Sequence, residues 1–222
     1  MKGEKNKITA PRGAKDERCS LSVASLAFFI ISILGWAYET TFMLLLHGRF
    51  FDRGFLSLPL CPIYGAPVCL LYLVFGTPIR GRYGEAVSNA AQKRAWGKAW
   101  AFVVRYGGYF LLSGAFATLL ELAVGLLFQS FGVSLWSYAD QPMNFHGVVC
   151  LSVSLFWGLL LTLFMRFPMP WLIGLLTRIP RKIRWIANAV LWSLLLCDFI
   201  FNSLYLIKNG EQYDLKRFFY AK

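Results

Sequence analysis

The chain has 222 residues, of which 57% are hydrophobic and only 15% are charged. A soluble domain usually carries about 25% charged residues, so the composition excludes an ordinary soluble fold. The formal net charge is +12, but the basic residues stand in short blocks between apolar runs. This pattern is typical of membrane-protein loops that face anionic lipid, and no DNA- or RNA-binding motif is present. We therefore expect membrane lipids as partners and no nucleic acid.

Five apolar runs are long enough to cross a bilayer, which takes about 20 helical residues. In chain order they are Leu21–Leu46, Leu58–Ile79, Ala101–Phe128, Phe145–Met165 and Ile186–Ile207. The second and fourth runs are short and have Pro, Gly or Asn near their starts, which allows them to begin as re-entrant or unwound segments. The sequence predicts an all-α fold, a polytopic transmembrane helix bundle of about five spans.

The domain organisation is simple, because no internal repeat or low-complexity tract is present. The first apolar run is too long for a signal-peptide core, so we expect it to remain as the first span. We predict a basic cytoplasmic N-terminal segment over residues 1–20, a single transmembrane helical domain over 21–207 and an extracytoplasmic C-terminal tail over 208–222.

The orientation follows from the lysines and arginines. Sixteen of them fall in the N-terminal segment and the second and fourth loops, against six in the first and third loops and the tail. The positive-inside rule then predicts a cytoplasmic N-terminus. Four tryptophans lie at the inner boundaries that this topology predicts, as expected of an aromatic belt: Trp96, Trp100, Trp171 and Trp185.

Three acidic residues lie within the apolar runs, where a charge is costly and usually has a function. At a helical rise of about 1.5 Å per residue, Glu39 and Glu121 reach the outer boundary and Asp198 reaches the outer half. Since the second and fourth spans enter from outside, other polar residues come to a similar level. The predicted substrate-binding residues are Glu39, Arg49, Arg53, Tyr64, Glu121, Tyr138, Asn144, His146 and Asp198.

Structural roles remain open for the same residues. Glu39 and Glu121 are also expected as salt-bridge partners of Arg49 or Arg53, which would fix the outer loops. Asp198 can be satisfied by a hydrogen bond with Asn202. His146 can be a packed interfacial residue. The two histidines stand far apart and no CxxC occurs, so we predict no metal and no cofactor.

Several short segments together resemble a known family. They are Gly35–Glu39, Gly48–Leu56, Pro59–Gly65, Glu121–Gly125, Trp136–Tyr138, Pro142–Gly147 and Ser154–Gly158. From about Leu21 to Leu163 the chain resembles the bacterial ABC-transporter type IV (CmpB-like) family of integral membrane proteins. That family usually has Trp-Asp-Tyr where this chain has Trp-Ser-Tyr at 136–138. The resemblance implies a multi-pass protein of the bacterial plasma (inner) membrane that works with a separate ATPase subunit or as a homo-oligomer.

Three functions remain open from the sequence. The first is a membrane transport or permease component with a polar site at the outer leaflet. The second is a membrane-embedded enzyme acting on a lipid headgroup or lipid-linked substrate, with Glu39 or Glu121 as general base, His146 as its partner, and Arg49 and Arg53 as phosphate clamps. The third is a structural or accessory membrane protein. No P-loop motif is present, so the chain has no such site for ATP hydrolysis.

Overall fold

The structure is a computed structural model that describes residues 20–48, 55–210 and 213. Arg49 and Arg53 lie outside the described residues. The described helices are α1 (Leu21–His47), α2 (Pro62–Phe75), α3 (Gly81–Lys93), α4 (Lys98–Ser130), α5 (Leu151–Arg166), α6 (Pro168–Thr177) and α7 (Arg181–Asn209). Two short strands, β1 (Asn144–Phe145) and β2 (Val149–Cys150), pair as an antiparallel hairpin. The predicted all-helical class is therefore confirmed.

Three helices are long and apolar enough to cross a membrane: α1, α4 and α7, with 27, 33 and 29 residues. At about 1.5 Å per residue their lengths are roughly 40, 50 and 44 Å, which exceeds a hydrocarbon core of about 30 Å. α5 and α6 meet at a 45° bend, so that they form a broken span or a re-entrant loop. The described residues thus hold three spanning helices, or four if the bent pair is one span, and the chain is a membrane protein.

The second and fourth apolar runs differ from the prediction. α2 has only 14 residues, roughly 21 Å, because residues 55–61 are irregular and Gly76, with φ 77°, ends the helix. α5 begins at Leu151 rather than Phe145, because residues 144–150 form the hairpin. Both runs therefore begin without regular helix, and the count of about five spans is not confirmed.

Glycines bring α1 and α2 into close antiparallel contact. A Cβ atom at Gly35 would overlap the ring of Tyr64, and one at Gly65 would overlap Ser32 on α1. Farther along the pair, the Cys69 thiol contacts the carbonyl oxygen of Ala24 at 3.4 Å. Small residues allow this approach, as is usual between membrane helices.

The pair α4 and α5 is built in the same way. The Ser113 hydroxyl donates to the carbonyl oxygen of Gly158 at 3.2 Å, and Thr162 donates to the same oxygen at 2.7 Å. A Cβ atom at Gly158 would lie 2.9 Å from the carbonyl oxygen of Phe110. The buried side chains of Tyr109 and Met165 belong to the core that joins these helices to α1, α2 and α6.

Cross-helix bonds fix the directions of the helices. Asn188 near the start of α7 donates to the Ser22 carbonyl oxygen at the start of α1 (2.8 Å), so α7 runs parallel to α1. The Tyr109 hydroxyl on α4 donates to the Gly76 carbonyl oxygen at the end of α2 (2.6 Å), so α4 runs antiparallel to α2 and parallel to α1. We call the end of the bundle with Glu39 and Glu121 the acidic end, and the end with Arg105 and Arg184 the basic end.

We expect Gly158→Ala to lower the free energy of unfolding by about 1–3 kcal/mol, because the new methyl group must push α4 and α5 apart. Gly174→Ala on α6 is the matched control, since a Cβ atom there meets nothing within 4 Å. Thermal or denaturant unfolding in detergent measures both variants. Equal stability of the two variants would contradict the close α4–α5 contact.

Candidate functional site

The first pair of the candidate site joins α1 to α2. The Tyr64 hydroxyl donates to Oε2 of Glu39 at 3.1 Å. Tyr64 stands in the first turn of α2, and its ring fills the space that Gly35 leaves on α1, one helical turn before Glu39. The Trp157 ring of α5 packs edge-on against Tyr64 at 5.5 Å between centroids. The close α1–α2 contact therefore directs the hydroxyl to the carboxylate.

The second pair joins α4 to the loop that follows it. The Tyr138 hydroxyl donates to Oε1 of Glu121 at 3.0 Å. The Glu121 side chain is only 9% exposed. Burial raises the pKa of the Tyr138 hydroxyl, and the neighbouring Glu121 carboxylate raises it further. Tyr138 therefore keeps its proton at neutral pH and remains a donor to the glutamate.

The two pairs are neighbours. Tyr138 lies near enough to Tyr64 and Glu39 for a charge on one to affect the others, so the α4 pair is close to the α1–α2 pair. We call Glu39, Tyr64, Glu121 and Tyr138 the glutamate–tyrosine cluster. It assembles two carboxyl groups and two hydroxyl groups from four separate segments at the acidic end.

One carboxylate oxygen in this cluster has no partner. Oε2 of Glu121 is buried and makes no hydrogen bond within the described part of the chain. An unsatisfied buried carboxylate oxygen is destabilising, and a proton or a cationic hydrogen-bond donor would satisfy it. The described residues contain no group of three or more His, Cys, Asp or Glu side chains that could hold a metal ion. The chemistry of the cluster therefore suits a proton or a cation.

Asn144 builds the loop that carries Tyr138. Its side-chain amide donates to the carbonyl oxygens of Ala139 (3.2 Å) and Gln141 (2.8 Å), and its Oδ1 accepts from the backbone N–H of Gly147 at 3.1 Å. The Tyr138 backbone N–H donates to the Gly147 carbonyl oxygen at 2.7 Å. Asn144 thus lies outside the cluster and positions Tyr138 through the backbone.

His146 is a turn residue. His146 and Gly147 have φ angles of 53° and 66°, and the turn closes with a 3.0 Å bond from the Val148 N–H to the Phe145 carbonyl oxygen. The His146 side chain is exposed and its ring packs edge-on against Phe145, with centroids 4.4 Å apart. The imidazole is therefore not among the groups that contact the two glutamates.

Asp198 holds the loop that precedes α2. Its Oδ2 accepts from the backbone N–H groups of Ser57 (3.0 Å) and Leu58 (3.2 Å). The Asn202 amide donates to Oδ1 of Asp198 at 3.1 Å and to the Ser57 hydroxyl at 3.1 Å. The hydrogen bond between Asp198 and Asn202 is present as expected, and Asp198 anchors the chain just before Tyr64.

Two tryptophans at the site were not among the predicted site residues. Trp157 packs on Tyr64, and the Trp136 indole donates to the Val148 carbonyl oxygen at 2.8 Å, beside Gly125. The sequence signal for these aromatic contacts is a glycine one helical turn from each glutamate, Gly35 before Glu39 and Gly125 after Glu121. Arg49 and Arg53, the expected salt-bridge partners, lie outside the described residues.

We expect Tyr138→Phe to lower the free energy of unfolding by about 1–3 kcal/mol, because it leaves the buried Glu121 carboxylate without a donor. In a Glu121→Leu background the same substitution should cost little, since both polar partners are then absent. Unfolding in detergent measures the four variants of this cycle, with Tyr38→Phe at an exposed position as control. An equal cost in both backgrounds would show that the pair is not coupled.

One of the comparisons with known proteins identifies a family. Residues 26–203 match the family described as "Putative ABC-transporter type IV". No curated protein and no solved structure gives a significant match. The matched range contains all four residues of the glutamate–tyrosine cluster and covers most of the chain. The chain therefore belongs to the ABC-transporter type IV (CmpB-like) family.

Proposed function

We propose that the chain is a permease component of a membrane transporter, with the glutamate–tyrosine cluster as its polar site. The observation that carries this proposal is the buried Glu121 carboxylate, which accepts from Tyr138 through one oxygen and has no partner for the other among the described residues. An intramembrane acid of this kind is costly and is typical of substrate and ion pathways. The membership of an ABC-transporter family supports the same function.

The proposed substrate or coupling ion carries a positive charge. Glu39 and Glu121 contribute carboxyl groups, and the two tyrosines act as donors to them. The Trp157 ring beside Tyr64 adds an aromatic surface, which suits an organic cation. A proton bound at Glu121 satisfies the same chemistry. The cluster thus favours cations over anions.

We infer a topology of five crossings with a cytoplasmic N-terminus, over one transmembrane domain at residues 21–207. Successive apolar segments alternate in direction, and the irregular residues 55–61 extend the path of the short α2. The charges of the described residues are also largely segregated, apart from Glu85 at the basic end and Lys208 in the last turn of α7. The acidic end holds Glu39, Glu121, Asp140 and Asp198, and the basic end holds Arg82, Lys93, Arg105, Arg178 and Arg184. The basic end then faces the cytoplasm by the positive-inside rule.

The proposed partners follow from the family. A chain without a P-loop needs a separate ATPase subunit to use ATP, and the exposed apolar faces of α4 and α7 also leave room for a second copy. We place this assembly in the plasma (inner) membrane of a bacterium. The helices α4 and α7 expose Leu119, Leu127, Leu194 and Phe201 to lipid or to such partners.

The enzyme alternative has less support. It requires His146 beside a glutamate and phosphate clamps from Arg49 and Arg53. The His146 ring is exposed on its turn and packs edge-on against Phe145 rather than beside a glutamate. The geometry of the described residues therefore favours binding and transport.

We expect Glu121→Gln to abolish cation binding. Proteoliposomes on a solid-supported electrode report charge movement when a cation binds, so no transport cycle or ATPase is needed. The panel of candidate cations consists of protons, applied as a pH step, and of Na⁺, K⁺, tetramethylammonium and spermidine. At least one of them should give a transient current with the wild-type protein and none with the variant, because the glutamine has no charge to attract it.

The control for this experiment is Glu85→Gln, an exposed glutamate on α3 at the basic end. It removes the same charge and should leave the current unchanged. A current that persists in Glu121→Gln, or no wild-type current with any cation of the panel, would contradict the proposed site. Size-exclusion profiles show whether the variants fold.

We expect opposite accessibility for cysteines placed at the two ends. Asp140→Cys lies on an exposed loop of the acidic end and Gln92→Cys on the exposed side of α3. A membrane-impermeant maleimide should label the first in intact cells and the second only after permeabilisation. The wild-type chain gives the background from native cysteines. The reverse pattern would overturn the cytoplasmic N-terminus.

A further inference from the structure

A second polar site lies at the basic end, away from the glutamate–tyrosine cluster. Arg184 stands in the first turn of α7, packed where α6 ends and α1 begins, and only 8% of its surface is exposed. One of its terminal nitrogens, Nη1, donates to the Thr177 carbonyl oxygen at a long 3.4 Å. Its buried Nε has no hydrogen-bond partner in the described residues.

The charge of Arg184 is not neutralised by an acid that the structure describes. The described acids are Glu39, Glu85, Glu121, Asp140 and Asp198. Four of them lie at the acidic end, and Glu85 is exposed on α3. A buried guanidinium without an anion is strongly destabilising, because the loss of hydration is not offset by a partner. The site is therefore incomplete as the described residues build it.

The N-terminus of α7 adds further positive charge near Arg184. The helix dipole places partial positive charge there, which disfavours a cation such as Arg184 and favours a bound anion. The residue before the helix, Pro180, provides no side-chain cap for the first backbone N–H groups. An anion at this position would therefore contact both the guanidinium and the open helix terminus.

The neighbouring Asn188 side chain needs a hydrogen-bond donor rather than an anion. Asn188, one turn after Arg184, is 6% exposed and gives its amide protons to the carbonyl oxygens of Ser22 and Arg184, each at 2.8 Å. Its buried Oδ1 has no partner in the described residues. The pair thus presents donors for an anion beside an acceptor for a hydroxyl or amine, two groups found together in a phospholipid headgroup.

The surroundings are those of a headgroup layer. Trp171 and Trp185 are exposed at this end, as are the basic residues Arg178, Arg181 and Lys182. Amphipathic rings prefer the membrane interface, and clustered bases attract anionic lipid. We propose that Arg184 and Asn188, at the junction of α1, α6 and α7, bind the phosphate headgroup of an anionic, hydroxyl-bearing phospholipid such as phosphatidylglycerol. This inference does not depend on the proposed transport function.

Native mass spectrometry of the full chain tests the proposal, with phosphatidylglycerol, phosphatidylcholine or inorganic phosphate added to the detergent-solubilised protein. We expect the wild-type protein to retain phosphatidylglycerol in preference to phosphatidylcholine. Arg184→Gln should weaken that retention at least about tenfold, the effect of losing one charged hydrogen bond. Arg184→Lys keeps the charge and should restore part of it. Arg178→Gln, at an exposed arginine that caps the C-terminus of α6, should change it less than about twofold.

Each of the following outcomes would contradict a bound phospholipid headgroup. Inorganic phosphate that displaces phosphatidylglycerol at equal concentration would identify a free-anion site. Lipid that binds only after Asp16→Asn and Glu17→Gln substitution would identify a carboxylate of the N-terminal segment as the native partner. Unchanged retention in Arg184→Gln, or a wild-type protein without preference for phosphatidylglycerol, would overturn the site. If Arg184→Gln fails to fold, the comparison of Arg184→Lys with wild type and Arg178→Gln decides the result.

Discussion

The acidic end depends on one constraint, which is that a carboxylate buried among membrane helices must receive hydrogen bonds. The protein meets it with tyrosine hydroxyls, at 3.1 Å for Glu39 and 3.0 Å for Glu121. A tyrosine keeps its proton near neutrality and is neutral, so it can donate to the acid without cancelling its charge. An arginine in the same place would form an ion pair and leave little attraction for a cation. This choice of partner leaves the carboxylate its negative charge, which the proposed cation site requires.

The position of each tyrosine depends on a loop that another side chain anchors. The loop before Tyr64 is anchored by Asp198, which accepts the backbone N–H groups of Ser57 and Leu58, and the loop around Tyr138 is anchored by Asn144. Both anchors use side-chain hydrogen bonds to the backbone, whose directional geometry sets the course of the loop. The polar residues at the acidic end thus divide into groups that face the site and groups that set its geometry.

This division explains how far the sequence could predict the site. Helical rise and span order brought Glu39, Glu121 and Tyr64 to one level, because depth depends only on residue count along a helix. Depth could not separate Asn144, His146 and Asp198 from them, since their partners depend on turn conformation. The left-handed φ of His146 and the hairpin of residues 144–150 have no signal in hydropathy. For the same reason, hydropathy predicts that the fourth apolar run begins at Phe145, whereas α5 begins at Leu151. The helical class was accessible because apolar length alone determines it, whereas the roles of the site residues remain a prediction.

Each end of the bundle has a buried polar atom without a hydrogen-bond partner in the described residues, Oε2 of Glu121 at the acidic end and Nε of Arg184 at the basic end. The two atoms are too far apart to bond to each other. Arg184 and Asp198 stand fourteen residues apart on α7, roughly 21 Å at the helical rise, and the two glutamates lie at the same far end as Asp198. A guanidinium and a carboxylate at that separation cannot share a hydrogen bond, so neither supplies what the other lacks. Each buried group then gains most from a partner that arrives from outside the described chain, a cation at Glu121 and an anion at Arg184. Because a headgroup is present wherever the protein is embedded, the anion can serve as a permanent part of the fold. A cation at Glu121 would have to come and go, which is the property that a transport site requires.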